Sequence, residues 1–267
     1  MGQARLKSRN RRRILLGEER CVYCLARPST VEHMPPTSMF PGRQRLSGME
    51  FAACEDCNHS SRAADAAASF FARISPTNVI NELELAEARK LIGTLADIAP
   101  GFVREVFDES KTTDVWMRGR DSVLGPKKQI LADGPVTLTL LHAFSAKLAM
   151  ALYREHVGRA LSVDGIVFAR HYLNAGLSRQ QAEATLSILP GFGELRQGAK
   201  RSGKSFNYRY NTDDRSIVAA LVAFNDNFFV RLFATEDPEI ANALLEAHDL
   251  PPVRIGDLTK MAVVWKP

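Results

Sequence analysis

The chain has 267 residues, of which 45% are hydrophobic and 24% charged, with a net charge of +5. That is enough apolar content for a sizeable core, which excludes a wholly disordered chain. The longest clean apolar run, residues 217–224, falls well short of the roughly 20 residues that span a bilayer, and no secretory core follows the basic N-terminus, so a cytoplasmic, reducing location with no membrane partner is expected.

The charge is unevenly placed. Residues 1–62 hold 11 Arg and Lys against 6 Asp and Glu, and the rest of the chain is balanced. The surplus points to a polyanion partner, DNA or RNA. It opens as a basic arm containing Arg11, Arg12 and Arg13. The first half of that arm is expected to stay disordered until it meets phosphates, with a short helix over 11–19.

All four cysteines follow, as Cys21-x-x-Cys24 and Cys54-x-x-Cys57. In a reducing compartment two such knuckles read as four thiolates for one structural zinc. The stretch between them is broken by Pro28, Pro35, Pro36, Pro41, Gly42 and Gly48. A short strand near Thr30–His33 fits, ended by the Pro35-Pro36 pair. Arg43 and Arg45 sit on an exposed turn. From Cys57 an Ala-rich, breaker-free run predicts a helix.

Four sulfurs close a zinc site, so chemistry must come from elsewhere. Glu32 and His33 are adjacent. A strand sends neighbours to opposite faces, but a strand end distorted by prolines brings both to one site. Imidazole suits a general base near neutral pH, and a carboxylate suits a hard cation such as Mg²⁺. Asn58 offers a further oxygen ligand, with His59 as the alternative. With a helix starting there, Asn58, Arg62 and Asp65 share one face. Arg62 then holds a phosphate and Asp65 orients a neighbour.

Further on, the pattern predicts an amphipathic helix over 78–95, short strands near 115–117 and 129–131, and a long helix over 136–156 ending at Gly158. Residues 165–173 fit strand or helix, and 176–189 a short helix. An antiparallel meander covers 205–235, and a helix covers 238–247. The basic aromatic run from Lys200 to Tyr210 fits either a nucleic-acid surface or a charge-protected edge strand.

The set Cys21-x-x-Cys24, Glu32-His33-x-Pro35 and Cys54-x-x-Cys57-Asn58 resembles the HNH endonucleases, a ββα-metal class on a treble-clef zinc scaffold. The resemblance covers about residues 18–72. It implies that His33 activates water and that Glu32 and Asn58 flank one catalytic Mg²⁺ or Mn²⁺. The cysteines then hold structural Zn²⁺. Read from the charge placement, Arg11, Arg12, Arg13, Arg43, Arg45 and Arg62 are the expected DNA contacts. Many such nucleases act as homodimers. Three positions depart from the usual pattern: Glu32 stands where Asp is frequent, a mild change, Asn58 replaces a histidine, and Met49 stands where a supporting asparagine is common. The expected fold is α+β. A basic arm (1–20) leads, then a zinc-stapled nuclease domain (21–75), then a mixed helical and antiparallel-sheet domain (76–267). The runner-up function is a catalytically inactive, zinc-stabilised nucleic-acid-binding module. A weaker third is an adaptor for an acidic protein.

Overall fold

The computed structural model describes residues 2–43, 47–74, 82–118, 124–173, 195–203, 205–225, 227–247 and 251–261. It is α+β, mixing helices with antiparallel sheet, and the four cysteines cluster in its N-terminal region. The predicted helix over 176–189 lies outside the described residues.

The basic arm is helical from Gly2 to Gly17 (α1). Strand β1 (Thr30–His33) pairs antiparallel with β2 (Glu50–Ala53), setting Thr30 opposite Ala53 and His33 opposite Glu50. The following helix begins at Glu55, two residues earlier than its sequence suggests, because the Cys54 sulfur caps it by accepting from the Cys57 N–H. It is also not continuous. Helix α2 (Glu55–Ser60) gives way to α3 (Arg62–Arg73) at Ser61, whose hydroxyl donates to the Cys57 carbonyl at 2.8 Å. A serine that claims a carbonyl of the preceding turn competes with the helical ladder.

Helix α3 carries six buried alanines, Ala63, Ala64, Ala66, Ala67, Ala68 and Ala72, small enough to let a neighbouring helix approach closely. That neighbour is α6 (Pro135–Val157), the central helix. Its predicted end at Gly158 holds, with that glycine left-handed at φ 87°. Among the described residues it is the one helix long and apolar enough to cross a bilayer, yet 78% of that stretch is buried inside the protein. At its start Glu105 accepts from the N–H groups of Val136 and Thr137 at 2.9 and 2.8 Å, satisfying donors that a helix leaves unpaired. Helices α4 (Glu82–Ile98) and α5 (Pro100–Val106) complete a helical layer around Phe70, Phe71 and Phe102, whose rings meet edge to face.

The strand expected near 115–117 forms as β3 (Thr113–Arg118), but its hairpin partner β4 is Leu124–Gln129 and ends where the second strand, 129–131, is expected to begin. Residues 166–173 resolve to strand β5, which pairs with β9 (Phe228–Thr235). The meander of β7 (Asn207–Thr212), β8 (Ile217–Phe224) and β9 forms as predicted. With β6 (Arg196–Gln197) and β10 (Val253–Arg254) it completes an antiparallel sheet ordered β10-β5-β9-β8-β7-β6. Phe206 and Tyr208 are buried, and Tyr210 stacks on His156 at 3.7 Å. That run is therefore an edge of the core, and these rings are not offered to bases. One buried cluster runs from Cys21 through α3 and α6 to the sheet and Leu258.

Candidate metal centre and adjoining cleft

Cys21 and Cys24 sit on a tight turn, where Leu25 (φ 63°) donates its N–H to the Cys21 carbonyl at 3.0 Å. Cys54 and Cys57 sit on the first turn of α2. All four sulfurs lie within 4.8 Å of one another, and Cys24 and Cys54 are 3.5 Å apart. A tetrahedral zinc with Zn–S bonds of about 2.3 Å places sulfurs roughly 3.8 Å apart, so the donor set fits. Cys21, Cys54 and Cys57 are buried, and Cys24 is half-buried. A surface cleft beside Arg27, Glu55 and Asp56 reaches Cys24, Cys54 and Cys57, giving a metal a way in. The protons report crowding. A hydrogen bond from the Cys57 thiol pulls Cys21 down to about 5, and the same contact pushes Cys57 well up. Burial raises Cys24 to about 12. A divalent cation would relieve this by replacing protons.

The β1–β2 hairpin has two chemically different faces. On the helix side, Asn58 donates to Thr30 Oγ1 at 3.2 Å. Glu32, only 4% exposed, meets the Lys147 ammonium of α6 at 3.3 Å. Asp65 of α3 holds the same ammonium at 2.6 Å. Lys147 is fully buried, and Tyr23 lies 5.6 Å beneath it. Among the described residues, one oxygen of each carboxylate, Glu32 Oε2 and Asp65 Oδ1, and the Tyr23 hydroxyl are buried without a hydrogen-bond partner. Burial raises the Glu32 carboxyl to about 7 despite Lys147, and burial also raises Asp65.

His33 points the other way, with its side chain 41% exposed. Its Nδ1 lies 3.8 Å from Glu50 Oε1 across the strand pair. Glu50 is held in turn by Asn10 of α1, whose amide donates to Oε2 at 2.9 Å. A cleft of about 720 Å³ gathers His33, Glu50, Asn10, Arg11, Thr37 and Arg43. The prolines at the strand end therefore do not bring Glu32 and His33 to one site.

Arg11 and Arg43 flank His33, while Arg12 and Arg13 are exposed on α1 and outside the lining of this cleft. Arg13 donates to Asn10 Oδ1 at 2.7 Å. Arg45 lies outside the described residues. His59 is exposed and 3.3 Å from the Arg62 guanidinium. Arg62 lines a different cleft, between α3 and α4. Met49 is buried and accepts the Met34 N–H through its carbonyl. Sequence reasoning missed Glu50, whose role depends on strand register, and Lys147. The latter had a signal, a single lysine inside the apolar run AFSAKLAMAL.

The fold and this site define an α+β protein with a four-cysteine cluster positioned to bind a metal. Comparison with protein-family models, with curated proteins and with solved structures finds no match.

Proposed function

We propose that this chain is an endonuclease that hydrolyses DNA phosphodiester bonds at the His33 cleft, on a hairpin and helix stapled by zinc. The observation that supports this reading is the cleft itself, with His33 beside an oriented Glu50 and basic residues on its rim. Imidazole takes a proton from the attacking water near neutral pH. Glu50, close to Nδ1, favours the imidazolium as it forms. Arg11 and Arg43 hold the backbone and offset charge on the phosphate. The sulfur site is closed, so its zinc is structural.

The divalent cation that the resemblance implies does not fit its expected ligands. Glu32, the expected carboxylate ligand, is engaged by the buried Lys147 ammonium on the face away from His33, and Asn58 donates its amide to Thr30 Oγ1. The same observation favours the second reading, a nucleic-acid-binding module without hydrolysis, because a lysine stands where a catalytic cation is expected.

Nicking of supercoiled plasmid by the purified protein, with Mg²⁺, with Mn²⁺ and with EDTA, tests the reading. Nicking supports the hydrolase. Salt-sensitive DNA binding without nicking under any of the three supports the module.

A further inference from the structure

We propose that the cleft between α3 and α4 binds phosphate groups of the same nucleic-acid strand that passes His33, with Arg43 bridging the two clefts; this rests on the nucleic-acid reading above. Arg43 lines both cavities, so they are contiguous at the surface. The second, about 490 Å³, is walled by Arg62 and Arg73 of α3 and by Glu87 and Lys90 of α4, with Asp65 at its floor. The placement follows from helical spacing. Arg62 and Arg73, eleven residues apart, fall on one stripe of α3, and Glu87 and Lys90 fall on the facing stripe of α4.

The charge count decides what the cleft takes. Its two acids are already engaged, Asp65 by Lys147 at 2.6 Å and Glu87 by Arg73 at 2.5 Å. Arg43, Arg62 and Lys90 remain, all exposed, and none has a carboxylate partner among the described residues. Three uncompensated cations around one concavity focus a positive potential and attract an anion. Guanidinium groups favour phosphate, which they bind with two parallel hydrogen bonds. Among the described residues the lining has no aromatic ring on which a base could stack. The cleft therefore reads backbone and not sequence. From Arg62 to Arg73 it follows α3 for about 16 Å, a track rather than a point. A free phosphate-bearing ligand has the same chemistry, and the test separates the two sources.

The experiment measures affinity against salt for a labelled duplex long enough to cover both clefts and for a labelled trinucleotide that reaches only the first. Wild type is compared with Arg62→Gln/Lys90→Gln and with Lys111→Gln, an exposed control outside both clefts. Inorganic pyrophosphate is titrated separately. The proposal expects the duplex salt slope to fall by about two in the double variant. It expects trinucleotide affinity and the Lys111 control to stay unchanged. An unchanged slope in the double variant, with the duplex still bound by wild type, overturns the strand path and leaves the His33 reading standing. Pyrophosphate binding that needs Arg62 and Lys90, with no duplex binding, assigns the cleft to a free phosphate ligand and overturns both. No binding of either probe also overturns both.

Discussion

Replacing Lys147 with methionine removes one charge from the middle of α6 while nearly keeping its volume. In the wild type the ammonium is fully buried between Glu32 and Asp65, at 3.3 and 2.6 Å. Taking it away leaves two carboxyls in a dry site with no cation. Breaking a buried pair by removing one partner costs about 3–5 kcal/mol. The loss depends on pH, and the sign follows from Glu32. Its carboxyl is raised from 4.5 to about 7 in the folded protein, chiefly by burial. Between those values the folded state holds a proton that the unfolded state has released. Stability from this group is thus present below pH 4.5 and lost as pH rises through 7. Without the ammonium, both carboxyls hold their protons to still higher pH, and the cost of ionising them grows. Urea unfolding of Lys147→Met is therefore expected to show a loss of about 3–5 kcal/mol at pH 8. At pH 5 the loss should shrink towards the level of a volume-conserving swap, under about 1.5 kcal/mol. An equal loss at both pH values, or one below about 1 kcal/mol at pH 8, would refute the account of this triad.

Three further outcomes are expected. Zinc titrated into the metal-free protein at pH 7 should bind one ion per chain and release at least two protons, because Cys24 and Cys57 are held protonated; a pH-stat reads the protons, and stoichiometric binding without release contradicts the cluster described. Glu105→Ala should destabilise α6 by about 1–2 kcal/mol in urea unfolding, since one carboxylate satisfies the N–H groups of Val136 and Thr137 at the positive helix end. Gly198→Ala should cost about 1–3 kcal/mol in thermal or urea unfolding, because a Cβ there falls 2.3 Å from the buried Tyr208 ring; no loss would mean that the ring moves aside freely.

Much of the scaffold is legible in the chain. The central helix, the meander and the β1 strand follow from apolar period and breakers, and the cysteine spacing marks the cluster. The parts that were not legible depend on pairing across long separations. Glu50 meets His33 only because β1 and β2 align in one register. Lys147 reaches Glu32 and Asp65 only because the alanines of α3 let α6 approach closely. The strand alternation that separates Glu32 from His33 was readable, but where each face leads depended on which helix covered it. Arg62 shares a face with Asp65 as spacing suggests, yet that face opens on α4 and not on His33. The early start and the break at Ser61 came from local side-chain hydrogen bonds, which apolar period does not register.

The most direct test of the central claim compares plasmid nicking by wild type and by His33→Ala in the same buffer, at protein concentrations that give equal DNA occupancy. The account predicts that nicking disappears while DNA affinity is kept, since Arg11 and Arg43 remain to hold the backbone. Equal nicking by the two proteins would place the chemistry elsewhere in the chain and contradict the role assigned to His33.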